Sequence, residues 1–138
     1  MKTKKILFLC TGNSCRSQIA EGFSKEILAG IANIRSAGTQ ADGLNPDAIS
    51  IMLEINIDIS NQKSKVLTDK EINWADYLIT LCGDARDKCP VLNINKTHIH
   101  WRLEDPAKYK GDDKIDFFRK VREQIKEHIN NLRDQIEK

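Results

Sequence analysis

The junction at residues 6–17 limits the possible folds more than any other feature of this chain. The apolar run Ile6-Leu7-Phe8-Leu9 leads straight into Cys10-Thr11-Gly12-Asn13-Ser14-Cys15-Arg16-Ser17, after which Ile19, Phe23 and Ile27 recur at helical spacing. A short unbroken apolar run reads as a strand buried on both faces, and such strands belong to parallel sheets. Strand, short loop and helix make the first half of a βαβ unit, so the chain is expected to be α/β with right-handed crossovers. The loop has its own chemistry. Gly12 and Asn13 tolerate positive φ, so successive backbone N–H groups can turn inward as an anion-binding nest. The following helix adds the positive end of its dipole. Thr11, Gly12, Asn13, Ser14, Cys15 and Arg16 are therefore expected to wrap a tetrahedral oxyanion, Arg16 gripping two oxygens at once. Cys10 sits at the base as candidate nucleophile, because donors that hold an anion also stabilise a thiolate, and Ser17 adds a hydroxyl. The plainer alternative is a buried cysteine that closes a core strand before a Gly-Asn turn.

The remainder of the chain continues the alternation. A second strand is expected over Ile31 to Ser36, with Ala37-Gly38 as a turn. Asn45-Pro46 reads as N-cap and first-turn proline of a helix with Ile49, Met52 and Leu53 as its buried stripe. Thr68-Asp69-Lys70-Glu71 fits a capping box, and Tyr77 to Leu81 is the strongest strand signal of the second half. A short helical stretch follows from about Asp84 and stops at Pro90, and Thr97 to Trp101 reads as a fourth strand. From about Asp112, Phe118, Val121, Ile125, Ile129, Leu132 and Ile136 line one face of a terminal helix. Parallel sheets collect ligands at the carboxyl ends of their strands. Cys10, Cys82 and Asp105 all fall there, after the first, third and fourth strands. Asp105 precedes Pro106, which holds it extended or in a turn, where an acid could protonate a leaving oxygen. His98, His100 and His128 read as packed or solvent-facing.

Composition narrows the functional classes. The 138 residues suit one domain spanning 1–138, and 22 basic against 20 acidic residues, well mixed, leave no footprint for nucleic acid or a membrane surface. The apolar segment after Met1-Lys2-Thr3-Lys4-Lys5 is too short for a secretory signal, so the chain reads as cytoplasmic, where thiols stay reduced. Four cysteines in that setting suggest redox or metal chemistry. Cys82 and Cys89 lie seven residues apart. In an intact helix their Cα atoms would be about 10.5 Å apart. A disulfide needs roughly 4.4–6.8 Å, so bridging them requires unwinding. Gly83, Asp87 and Pro90 make that easy, as in a segment built to refold on oxidation. The alternative is one packed thiol and one incidental one. A zinc site is disfavoured, because only the Cys10/Cys15 spacing fits and it would consume the nucleophile.

Taken together, Cys10-x5-Arg16-Ser17 and the downstream Asp105-Pro106 resemble the low-molecular-weight tyrosine phosphatase superfamily, and within it the thioredoxin-coupled arsenate reductases. CTGNSCRSQIAEGF from Cys10, SAG from Ser36, DISN from Asp58, TLCGDARDKCP from Thr80 and HW…DPA from His100 carry the resemblance in order along nearly the whole chain. It implies a flavodoxin-like three-layer sandwich, with a four-stranded parallel sheet flanked by helices. It also implies catalysis by Cys10, Arg16, Ser17, Asp105, Cys82 and Cys89. Cys10 would attack arsenate while Asp105 assists departure of a hydroxyl. Cys82 would attack Cys10, releasing arsenite and leaving a Cys10–Cys82 disulfide. Cys89 would convert that to Cys82–Cys89, reduced in turn by thioredoxin. No cofactor or resident metal is implied, and the enzyme is expected to be a monomer. Cys15 has no required step and reads as loop packing.

The chain departs from the family pattern in two places. Some relatives hold a potassium ion through residues matching Asn13, Glu21, Ser36 and a carboxylate at position 65. Here Lys65 stands in that place, and its ammonium is expected near Glu21 as a substitute for the cation. Trp101-Arg102-Leu103-Glu104 also replaces a glycine-containing acidic stretch, with Glu104 as the retained acid. The alternative activity is a tyrosine phosphatase using Cys10, Arg16 and Asp105, although Ala107-Lys108 follow the Asp-Pro where such enzymes place aromatic residues. A non-enzymatic oxyanion or redox sensor is the other alternative.

Overall fold

The computed structural model describes residues 3–82 and 96–137, apart from the side chain of residue 82. Cys89, the helical stretch expected from about Asp84 to Pro90, and the Cys82 side chain lie outside what is described. Four strands, β1 (Lys4–Cys10), β2 (Ala32–Gly38), β3 (Tyr77–Cys82) and β4 (Thr97–Arg102), form one parallel sheet in the order β2-β1-β3-β4. Between and after them run α1 (Arg16–Ile27), α2 (Pro46–Leu53), α3 (Asp69–Trp74) and α4 (Lys114–Glu137). The chain leaves β1 toward β2 on one side and reaches β3 on the other. The order of strands therefore switches sides beside the carboxyl end of β1, the place where open α/β sheets bind ligands.

The apolar pattern explains the layering. Every residue of β1 from Ile6 to Cys10 is buried, because both faces of the strand are covered. Ile6, Phe8, Ile79, Leu81 and Trp101 face the larger core, packed against Ile19 and Phe23 of α1, Ile51 and Met52 of α2, and Phe118, Val121, Ile125 and Ile129 of α4. Leu7, Leu9, Ala37 and Leu78 face the smaller one, where Ile72 and Trp74 of α3 pack. No helix among the described residues is long and apolar enough to cross a membrane.

Three local expectations change. Strand β2 continues through Ala37-Gly38 instead of turning there, because Cys10 pairs with Gly38 and Gly38 bridges on to Val66. Asn45 caps α2 as expected, accepting from the Asp47 and Ala48 N–H groups, but the buried stripe is Ala48, Ile51 and Met52, leaving Leu53 half exposed. The proline fixes where the helix starts, and the phase of the inward face follows from that start. At α3 the Thr68 hydroxyl turns to the Glu71 carboxylate and not to a backbone N–H, so the reciprocal capping box does not form.

Candidate active site

The loop between β1 and α1 is shaped by where its carbonyls go. Thr11 O accepts from the Gln40 N–H and the Thr39 hydroxyl, both at 3.0 Å. Gly12 O accepts from Asp42 N–H at 2.9 Å and the Ser64 hydroxyl at 3.2 Å. Asn13 O accepts from Gln18 Nε2 at 3.0 Å, and Ser14 O from Asn45 N–H at 3.1 Å. In a planar trans peptide the C=O and the next N–H point in opposite directions. With four consecutive carbonyls tied outward, the N–H groups of residues 12–15 are turned toward the loop's concave side. Asn13 takes the positive φ this requires, at 47°, whereas Gly12 does not, contrary to the expectation for that residue. Helix α1 starts at Arg16 with Cys15 as N-cap and no side-chain cap, which leaves its first N–H groups to an anion. The Thr11 hydroxyl is out of solvent and has no partner among the described residues, so it too is available as a donor.

The buried side chains behind the loop form a hydrogen-bond chain of fixed polarity. The Lys65 backbone N–H can only donate, so the Asn13 oxygen that receives it at 2.8 Å must be Oδ1. Asn13 Nδ2 then donates to Ser17 Oγ at 2.8 Å and Ser36 Oγ at 2.9 Å. Ser36 in turn donates its O–H to Glu21 Oε1. Because Ser17 Oγ already accepts from Asn13, its O–H is free to donate to Cys10 Sγ, 2.8 Å away. The arrangement favours sulfur as the acceptor of that bond.

Arg16 is 2% exposed and held from beyond β4, with Nη1 donating to Leu103 O at 2.9 Å and Nη2 at 3.6 Å from Asp105 Oδ2. Asp105 is itself fixed, accepting from Ala107 N–H at 3.0 Å as N-cap of the turn Pro106–Lys108. Cys10, Thr11, Gly12, Ser14, Cys15, Arg16 and Asp105 share one cavity of about 220 Å³ with Gln40, Asp42, Ala107 and Lys108, whereas Asn13, expected in the substrate-binding set, is fully buried and does not line it. Ser17 lies behind the wall. Among the sequence candidates, Cys82 ends β3, paired with Arg102, and its strand lies next to β1 with Leu9 in register with Thr80.

This geometry accompanies a clear kinship. The sequence matches the family described as "Low molecular weight phosphotyrosine protein phosphatase" over residues 5–138. The chain belongs to that family. Within it, a protein of Oceanobacillus iheyensis named arsenate reductase is 50% identical over 131 residues, covering 94% of each chain. A solved structure described as an arsenate reductase in the phosphate binding state superposes with a TM-score of 0.82 at 36% identity, covering 97% of this chain and 99% of that one. A thioredoxin-dependent arsenate reductase of Corynebacterium glutamicum superposes with a TM-score of 0.77 at 29% identity, over 98% of this chain and 62% of that one. The four-stranded parallel sheet flanked by helices is the fold of this family.

Two expectations drawn from the family resemblance can be checked against the geometry. The potassium ligands expected from relatives do not fit a cation here. Glu21 is taken by the Ser36 hydroxyl and by Lys25 Nζ at 2.6 Å, and Asn13 Oδ1 by the Lys65 N–H. Lys25 from the next turn of α1, not Lys65, supplies the positive charge beside Glu21; the Lys65 side chain is exposed. Second, Tyr109 does not flank the cavity. Its ring stacks on Phe117 at 4.4 Å and its hydroxyl donates to Asp113 at 2.6 Å.

Cys15 is buried with the larger core, and its thiol is pushed up to about 12, first by burial and then by the nearby Asp105 carboxylate. It stays protonated at neutral and mildly alkaline pH, so iodoacetamide at about pH 8 is expected to leave Cys15 unmodified in the folded protein. The same shift has a stability consequence. The unfolded thiol ionises first, from its ordinary 9.0, so the folded state holds the extra proton and stability falls as pH rises from about 9 toward 12. The loss is about 1.4 kcal/mol per pH unit, and urea unfolding of Cys15→Ala should lack that slope.

Several residues at the site carry no motif. Gln40 and Asp42 line the cavity from the β2–α2 loop, and Leu103 serves through its backbone carbonyl, which no side-chain pattern announces. Thr80 receives two imidazoles of β4, His98 Nε2 at 3.1 Å and His100 Nδ1 at 2.6 Å. His128 stacks on Trp101 at 4.8 Å, and burial lowers its pKa.

Proposed function

We propose that this chain is an arsenate reductase in which Cys10, Cys82 and Cys89 act in sequence and thioredoxin restores the thiols. The observation that carries the oxyanion chemistry is the outward tying of the Thr11, Gly12, Asn13 and Ser14 carbonyls, which turns the N–H groups of residues 12–15 inward above a sulfur hydrogen-bonded to the Ser17 hydroxyl at 2.8 Å. Cys10 thiolate attacks arsenic and forms a sulfur–arsenic(V) bond, and an arsenic–oxygen bond breaks with a proton supplied by Asp105. Arg16 and the loop hold the remaining oxygens. Cys82 thiolate then attacks the Cys10 sulfur. The sulfur–arsenic bond breaks with its electron pair left on arsenic, giving arsenite and a Cys10–Cys82 disulfide. Cys89 attacks Cys82 and frees Cys10, and the two electrons are replaced by thioredoxin. Support for Cys82 as second thiol comes from the sheet, since β1 and β3 are adjacent parallel strands ending in the two cysteines. The same reading takes residues 1–138 as one domain working as a monomer in the reducing cytoplasm, with no cofactor.

The test is arsenate-dependent NADPH oxidation with thioredoxin and its reductase, run on wild type and on Cys10→Ser, Cys82→Ser and Cys89→Ser. Turnover is expected to vanish in all three, while slow p-nitrophenyl phosphate hydrolysis disappears only in Cys10→Ser. Full turnover in Cys89→Ser would overturn the relay. A shared loop favours phosphoryl transfer as a side activity. With Tyr109 engaged by Phe117 and Asp113, an aromatic phosphoester lacks the stacking partner a tyrosine phosphatase would offer it.

A further inference from the structure

The wall of the cavity holds a carboxylate that the relay does not use. Asp42 Oδ2 occupies the space beside Gly12 that the Cβ of a side chain there would fill. Its backbone N–H is bonded to Gly12 O at 2.9 Å, and Gln40 Nε2 donates to both of its carboxylate oxygens at 3.0 Å. The carboxylate is thus held beside the nest, in a cavity where the loop and Arg16 offer donors to an anion and which also holds the Asp105 carboxylate. A carboxylate beside an oxyanion loop is unfavourable for the bare charge. An ionised carboxylate only accepts hydrogen bonds, so an anion oxygen facing it is stabilised only if that oxygen carries a proton.

We propose that Asp42 is a specificity residue that reads a hydroxyl on the bound oxyanion. Hydrogen arsenate and hydrogen phosphate carry such a hydroxyl at neutral pH. Sulfate does not, and neither does the dianion of a phosphate monoester, whose fourth oxygen is an ester. Hydrogen phosphate and sulfate have the same size, shape and double negative charge, so repulsion by Asp42 acts equally on both. The hydrogen bond from a P–OH or As–OH group to Asp42 is what separates them. The same residue then holds phosphoester hydrolysis to a side activity while leaving inorganic arsenate a good ligand. This rests on the oxyanion-binding reading of the loop, and the two can fail separately.

The experiment is calorimetric titration of the reduced protein with inorganic phosphate and, separately, with sulfate, at about pH 7.5. Wild type is expected to bind phosphate at least about tenfold more tightly than sulfate, the size of one charge-assisted hydrogen bond. Asp42→Asn keeps the shape and gives the wall an N–H donor, so the ratio should fall to about threefold or less, mainly through tighter sulfate binding. Asp42→Ser, which can donate or accept, should move the ratio in the same direction. Asp42 is exposed, so both variants are expected to fold, which far-ultraviolet circular dichroism checks. Equal affinities in wild type, or an unchanged ratio in both variants, would overturn the role of Asp42 and leave the loop reading intact. Failure of wild type to bind either anion would overturn both.

Discussion

Arg16→Lys is expected to lower kcat/KM for arsenate by about 10²–10³-fold while the chain still folds. The guanidinium is buried, reaches Leu103 O with one nitrogen and Asp105 with another, and borders the cavity. That geometry uses the planar fork in two ways, as an anion grip and as a strut between the α1 terminus and the segment after β4. A lysine ammonium keeps the charge but is a point donor on a flexible stem, so it can serve one of these partners or the substrate, not all of them together. The misplacement also reaches Asp105, whose orientation toward the leaving oxygen depends partly on Arg16. Arg16→Ala should be worse for folding, by about 1–3 kcal/mol, because the Leu103 carbonyl and the Asp105 carboxylate lose a buried partner. Steady-state kinetics with urea melts of both variants separate the two effects. A loss of less than about tenfold for Arg16→Lys would show that the backbone nest alone holds the substrate.

The loop and the sheet were legible in the sequence for the same reason. Both are dictated locally: Ile6 to Leu9 is an unbroken apolar run followed by turn residues, as a strand buried on both sides requires, and Cys10-x5-Arg16-Ser17 has the residue types a nest requires. The terminal helix was legible too, since Phe118, Val121, Ile125, Ile129 and Leu132 recur at a single period and are all buried. Most of what could not be read depends on residues distant in the chain, with one local exception. The Lys25 pairing with Glu21 is an ordinary i, i+4 contact, yet the expected Lys65 had the stronger claim from the family pattern. Its backbone N–H is used and its ammonium is not, a distinction between main chain and side chain that residue identity does not carry. Gln40 and Asp42 reach the cavity because their own backbones are laced to Thr11 and Gly12, so their place is set by strand register and not by any motif. The phase of α2 depended on where Pro46 starts the helix relative to the sheet, and a shift of one residue turns the expected stripe Ile49, Met52 and Leu53 into Ala48, Ile51 and Met52.

Gly38→Ala tests that long-range register most severely. A Cβ on Gly38 would lie 2.6 Å from Thr11 O, 2.8 Å from Asn13 N and 2.8 Å from Gln40 O, all backbone atoms. The residue cannot easily retreat, because its N–H is bonded to Lys65 O at 2.9 Å and its carbonyl to Leu67 N–H at 2.8 Å. The strain must therefore pass into the nest, displacing Thr11 and Asn13 and with them the Asn13–Ser17 hydrogen bond behind Cys10. Overpacking of this kind costs about 1–3 kcal/mol of stability. A shift of the order of 1 Å in a binding loop costs about 10²-fold in activity. Gly12→Ala is the informative contrast, since its Cβ would meet the end of the Asp42 side chain, which can swing aside. The expected result is that Gly38→Ala loses phosphate affinity, arsenate turnover and stability together, whereas Gly12→Ala keeps its stability. Wild-type phosphate affinity in Gly38→Ala would mean that the end of β2 does not set the shape of the nest.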